Sequence, residues 1–153
     1  MAQALWRLYL RLPPRSRLRQ AIVRRYVGQG FEAFNRKDLD ATFMLYREDV
    51  ESIMSPEFVS LGLEPVYRGR KARVALQEAW DAEWGAWRFE PDELVDLGDS
   101  RVLVTGFMRA SGLSSGAAVD THGAFLFTLS GGQVVREQVF FDRREALEVV
   151  GLS

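Results

Sequence analysis

Residues 131–143, GGQVVREQVFFDR, place a single acid on an otherwise apolar strand face. Alternation after the Gly-Gly turn puts Glu137 on the side of Val139 and Phe141. A carboxylate held in apolar surroundings resists ionisation and can trade protons near neutral pH. Glu137 is therefore the candidate catalytic acid or base. The competing reading pairs it with an arginine, or leaves it wet at the end of its strand. His122 is the sole histidine and Cys is absent, so a thiolate or His-rich metal site is excluded, and no metal or cofactor is expected. Asp142 precedes Arg143-Arg144 in the manner of a helix cap. By phase His122 faces outward beside Asp120, and Asp38 and Asp49 suit a cap and a strand entry. SGLSSG, at residues 111–116, lacks a P-loop lysine, so it is not read as a phosphate site.

Charge is unevenly spread. Residues 1–31 hold seven arginines (7, 11, 15, 17, 19, 24, 25) and no acid, while the whole chain carries 20 basic and 21 acidic residues. These arginines alternate with Leu, Ile, Val and Tyr at helical spacing. An amphipathic helix pair is expected, packing its apolar side on the body and turning its basic side to the acidic remainder. Contact of residues 1–25 with an anionic membrane surface is the alternative; nucleic-acid binding has no motif to support it. There is no long apolar core with a small-residue cleavage site, which points to a cytoplasmic protein. No run approaches the roughly 18 apolar residues of a membrane span.

The elements follow from period and punctuation. A helix is expected over 2–12, broken at Pro13-Pro14, then a longer one capped by Ser16 and running to Asn35. Asp38 caps a short helix containing Leu39, Phe43 and Tyr46. A short strand over 48–54 and a long loop over 56–67 come next, then a helix from Gly69 to near Gly85. The second half alternates with period two over 87–97, 101–110, 119–129 and 134–142, joined by Gly-rich turns. A short helix over 143–149 ends the chain. Helices followed by an antiparallel meander imply an α+β fold with the helices on one face of the sheet.

One strand phase contains Val102, Val104, Gly106, Met108, Thr121, Gly123, Phe125, Phe127, Glu137, Val139 and Phe141. It is the more apolar phase and is taken as the inner face. Gly106 and Gly123 would leave room there for a ligand. The expected pocket residues are Met108, Thr121, Phe125, Phe127, Val139 and Phe141 on strands, with Tyr67, Trp80 and Trp84 from the facing segments. The outer phase keeps Leu103, Phe107, Leu126 and Phe140, apolar surface that suggests a homodimer.

Taken in order, FNRKDLDA, EDV, YRGRKA, RFEPDELVDLGDSRVLV, SGLSSG, FTLSGGQVVR and FFDRREALEVVGL resemble the SnoaL-like domains of the nuclear transport factor 2-like superfamily, over about residues 20–152. The resemblance implies a cone-shaped α+β barrel, or cystatin-like roll, in which a curved antiparallel sheet wraps a long N-terminal helix around a pocket. On this reading residues 1–153 are one such domain and 1–14 an extra helix. Homodimers are common in the family, and its enzymes include polyketide cyclases, steroid isomerases and epoxide hydrolases. Their catalytic sets do not carry over. The isomerase tyrosine, acid and base positions fall at Gly30, near Gly123 and near residues 53–55, and the epoxide hydrolase positions at Gly106, Met108 and Val139. Three readings remain open: a cofactor-free isomerase, hydrolase or cyclase using Glu137, a carrier of a small hydrophobic molecule, or a protein-interaction module. The first requires a polar partner within reach of Glu137, such as Tyr67, Tyr26 or Thr121.

Overall fold

The computed structural model describes residues 2–85, 87–112 and 116–152. Helix α1 (Ala2–Arg11) stops short of Pro13-Pro14, as a proline pair requires. Helix α2 (Arg17–Asn35) starts where the Ser16 Oγ accepts from the Arg19 amide at 3.3 Å. It buries Ile22, Val23, Phe31 and Phe34, one stripe at helical spacing. Asp38 caps the short α3 (Leu39–Thr42) through the Ala41 amide. The expected helix over this stretch ends early, and Tyr46 opens strand β1 (Tyr46–Met54) instead.

The expected loop over 56–67 holds two elements. Pro56 sits in the first turn of α4 (Pro56–Ser60), where its missing N–H costs no hydrogen bond. Strand β2 (Val66–Arg68) pairs antiparallel with β1. Helix α5 (Arg70–Trp84) follows and closes at Gly85, whose φ is +56°. Then come β3 (Arg88–Asp96), β4 (Arg101–Ser111), β5 (Ala118–Ser130), β6 (Gln133–Phe140) and α6 (Arg143–Val149). The β5–β6 turn uses Gly131 and Gly132 at φ +59° and +83°, the left-handed pair a tight hairpin favours.

The six strands form one sheet in the order β2-β1-β6-β5-β4-β3. Neighbours are antiparallel except β1 and β6, which run parallel because the chain crosses the whole sheet between them. The sheet is curved, and the whole is a cone-shaped α+β barrel. Its concave side packs Val102, Val104, Met108, Phe125 and Val139 against α2 and α5. Its convex side packs Leu103, Ala124, Leu126 and Phe140 against Ala146 and Leu147 of α6. Helices therefore lie on both faces, not one. The chain ends by folding back over the outer surface, so most of the apolar residues expected to cover a dimer contact are already buried.

Tyr9 is fully buried and anchors α1 to the body. It meets Arg19, whose guanidinium holds Asp96 of β3 at 2.6 and 2.9 Å, the Leu12 carbonyl at 2.6 Å and the Tyr9 hydroxyl at 3.3 Å. Burial, and then the charge of Asp96, push the Tyr9 phenol up to about 12.

The two glycines of the inner face do not open space. A Cβ on Gly106 would stand 2.4 Å from the Glu90 carbonyl oxygen and 2.7 Å from the Phe89 ring. One on Gly123 would stand 2.5 Å from the Phe140 carbonyl oxygen and 2.8 Å from the Met108 methyl. Backbone and core side chains already occupy the room that those positions leave.

Candidate functional site

A cavity of about 490 Å³ lies between α2 and the inner face of the sheet. Helix α2 supplies Tyr26, Val27, Gly30, Phe31 and Phe34 to its wall, and the α3–β1 segment supplies Phe43 and Tyr46. Strands β4, β5 and β6 supply Val102, Phe125, Phe127 and Glu137, all on the face taken as inner. Exposed Gln29, Glu32, Arg36 and Met44 also border it, so it opens to solvent between α2 and the α3–β1 turn.

A polar cluster is set into this apolar wall. Glu137 is fully buried on β6. Its Oε1 accepts from Arg73 Nε at 2.6 Å, and its Oε2 accepts from the Tyr46 hydroxyl. Arg73, 4% exposed, reaches inward from α5, and its guanidinium lies 4.8 Å from the Phe43 ring centre. Arg73 Nη1 donates to Gln77 Oε1 at 3.0 Å, Gln77 Nε2 to Asp81 at 2.9 Å, and Lys37 binds the same Asp81 oxygen at 3.1 Å. Among the described residues no acceptor meets Arg73 Nη2, and the residue borders the cavity. Arg70 Nη1 donates to the Tyr46 carbonyl at 3.2 Å and helps to fix the start of β1.

The electrostatics follow from this burial. Loss of water raises Tyr46 well above the usual phenol range, and the Glu137 charge adds to it against Arg73. Tyr46 is therefore a neutral hydrogen-bond donor at any working pH. Burial alone would lower Arg73, but Glu137 and then Tyr46 hold it above its ordinary value. The cluster joins a carboxylate, a neutral phenol that donates to it, and a fixed cation, all beside an apolar chamber.

The expected pocket residues divide. Phe125, Phe127 and Glu137 border the cavity. Met108, Val139, Trp80 and Trp84 do not; they are core, 7% exposed or less. There Trp80 meets Trp84, Trp87 and Phe58 at ring separations of 5.4, 5.2 and 6.0 Å. Phe141 packs on Phe58 at 5.5 Å. Thr121 spends its hydroxyl on the Phe141 carbonyl at 2.8 Å, and the Tyr67 hydroxyl accepts from the Glu64 amide at 2.9 Å. Of the partners proposed for Glu137, Tyr26 borders the same cavity, but Tyr46 and Arg73 hold the carboxylate. The premise of a carboxylate among apolar groups alone fails for the same reason. His122 lies on the outer face, stacked on Phe107 and 2.8 Å from Asp92. Asp142 caps α6 through the Arg144 amide.

Nothing in RKARVAL alone sets Arg73 apart as a site residue, since Arg70 and Lys71 offer two other cations beside it. One signal lay in its spacing. Arg73, Leu76, Gln77, Trp80 and Trp84 form one stripe at steps of three, one, three and four, and an arginine on the apolar stripe of a helix needs a buried partner.

The chain matches the model of the SnoaL-like domain over residues 23–137 and belongs to that family. Solved structures agree on the fold. An NTF2-like protein of unknown function from Burkholderia pseudomallei superposes with a TM-score of 0.69 at 22% identity, over 82% of this chain and 95% of that one. TerC, crystallised with polyporic acid, gives 0.67 at 20% identity, over 83% and 96%. A protein provisionally named a polyketide cyclase, from Xanthomonas campestris, gives 0.61 at 20% identity, over 82% and 93%. No curated protein sequence matches the chain.

Proposed function

We propose that this chain is a cofactor-free proton-transfer enzyme, of the isomerase or cyclase kind, acting on a small and largely apolar molecule with one oxygen-bearing end. The observation that carries this is Glu137, buried on the cavity wall with Arg73 and Tyr46 on its two oxygens. A carbonyl of the substrate directed at Arg73 Nη2 would gain a cationic donor. The carbon next to it would then lose its proton to Glu137, and Arg73 Nη2 would hold the oxyanion that forms while Tyr46 keeps the acid in place. A carboxylate has about four acceptor positions, so two protein donors do not exhaust it. A hydrolase would use the same groups to activate water. The provisional names of two fold neighbours, the polyketide cyclase name above and an isomerase name given to a Bacillus subtilis protein, are compatible with such chemistry.

A second reading, a carrier without chemistry, is favoured by one feature: Arg73 compensates the charge of Glu137 and Tyr46 caps it, an arrangement stable without any reaction. Glu137→Gln separates the two. Once a turned-over compound is found by screening ketones and polyketide-like phenols, the variant should lose about 10² to 10⁴ in rate with ligand affinity largely kept. Full turnover by the variant eliminates Glu137 as the proton-transfer group, and binding without turnover in both proteins establishes the carrier.

A further inference from the structure

The solvent-facing stripes of α1 and α2 are basic and uncompensated. On α1 the exposed residues include Ala4, Arg7, Leu8 and Arg11, spaced at steps of three, one and three. On α2 they include Arg17, Leu18, Ala21, Arg24 and Arg25, with Arg15 in the turn between the helices. Arg19 alone among the seven N-terminal arginines turns inward, to Asp96. The other six make no ion pair among the described residues, although the remainder of the chain is acidic. The basic side does not neutralise the body.

We infer that this surface rests on an anionic lipid membrane. Two arguments select lipid over other polyanions. Leu8 and Leu18, 41% and 54% exposed, stand within the arginine stripes. Apolar side chains there gain nothing from phosphodiesters in water but sink into the boundary between headgroups and acyl chains. The cavity also opens beside this surface. Arg25 and Gln29 are one turn apart on α2, and Gln29 borders the opening, as does Met44 at 59% exposure. A membrane against the helix pair would therefore adjoin the entrance to an apolar chamber. Helix α1 stays docked through Tyr9 throughout, so no helix has to unfold or insert. The surface lies mostly before residue 23, outside the stretch that defines the family.

Co-sedimentation of the full chain with vesicles tests this. Binding is expected to mixed phosphatidylcholine–phosphatidylserine vesicles at low salt, with little to pure phosphatidylcholine, and release at high salt. Replacing Arg7 and Arg11, or Arg24 and Arg25, by Gln should weaken binding about fivefold per arginine. Leu8→Gln with Leu18→Gln should weaken it while leaving the salt dependence in place. Arg109→Gln with Arg144→Gln removes the same charge elsewhere and should change it little. All these side chains are exposed, and unchanged circular dichroism verifies the fold of each variant. Equal binding to neutral vesicles, no binding to anionic ones, or equal losses in the control pair would overturn the inference. So would retention of a DNA duplex by a protein that ignores the vesicles.

Discussion

Arg73 and Glu137 are both buried and ion-paired at 2.6 Å, which makes their removal strongly non-additive. Arg73→Leu should destabilise the protein by about 3–5 kcal/mol, because Glu137 is left charged and buried. The pair Arg73→Leu with Glu137→Leu should recover most of that loss. Urea midpoints of the two singles and the double give the coupling, and additive losses would show that the two charges do not depend on each other. At this scale the sequence was half legible. The alternation V-V-R-E-Q-V-F-F was enough to aim Glu137 inward. Its partners could not be found that way, because Tyr46 and Arg73 lie 91 and 64 residues from it and meet it only after β6 inserts beside β1. Period gives direction within an element and says nothing about which element will face it.

Among the elements, α1 and α2 have the clearest electrical signature. The Tyr9 phenol is held up at about 12 against an ordinary value of 10, by burial first and then by Asp96. A group whose folded pKa is raised contributes stability below its unfolded pKa and loses it as pH rises through the folded one. Stability should therefore fall between about pH 10 and about 12, where the unfolded chain ionises Tyr9 and the folded chain does not. Chemical denaturation across that window reads it, and Tyr9→Phe should flatten the decline. An unchanged slope in the variant would mean that the α1 contact does not carry it. The element boundaries show the same division between local and distant information. Caps and breakers are chain-local: Ser16 and Asp38 begin their helices, and Pro13-Pro14 and Gly85 stop theirs, where expected. Strand β2 has three residues, and only its pairing with β1 makes it a strand. The side of the sheet taken by α6 depends equally on a contact with strands already formed.

For the whole molecule, the convex face decides how copies would meet. Leu103, Leu126 and Phe140 lie under α6, so the case for a homodimer through that face passes to half-buried Phe107 and the His122 ring stacked on it at 4.4 Å. We expect a dimer that Phe107→Glu dissociates while the melting temperature of the monomer is kept, as read by sedimentation at micromolar concentration. A wild-type protein that sediments as a monomer, or a variant that remains a dimer, would move the contact elsewhere or remove it.

The glycines of the strands and those of α2 differ in the room beside them. On the strand side, Gly106 and Gly123 are pressed against backbone, and nothing larger fits without moving the sheet. On the helix side, Gly30 borders the cavity with no atom within 4 Å of where its Cβ would stand, and Gly28, two residues earlier, is equally unobstructed. A glycine inside a helix weakens it by about 0.5–1 kcal/mol relative to alanine. Gly28→Ala and Gly30→Ala should both raise the unfolding free energy by about that amount. Only Gly30→Ala should also narrow the range of ligand sizes bound, which a homologous series of ketones in a thermal-shift assay would show. The length of molecule that this protein accepts would then be written in one helical residue, at a place where chamber size trades directly against helix strength.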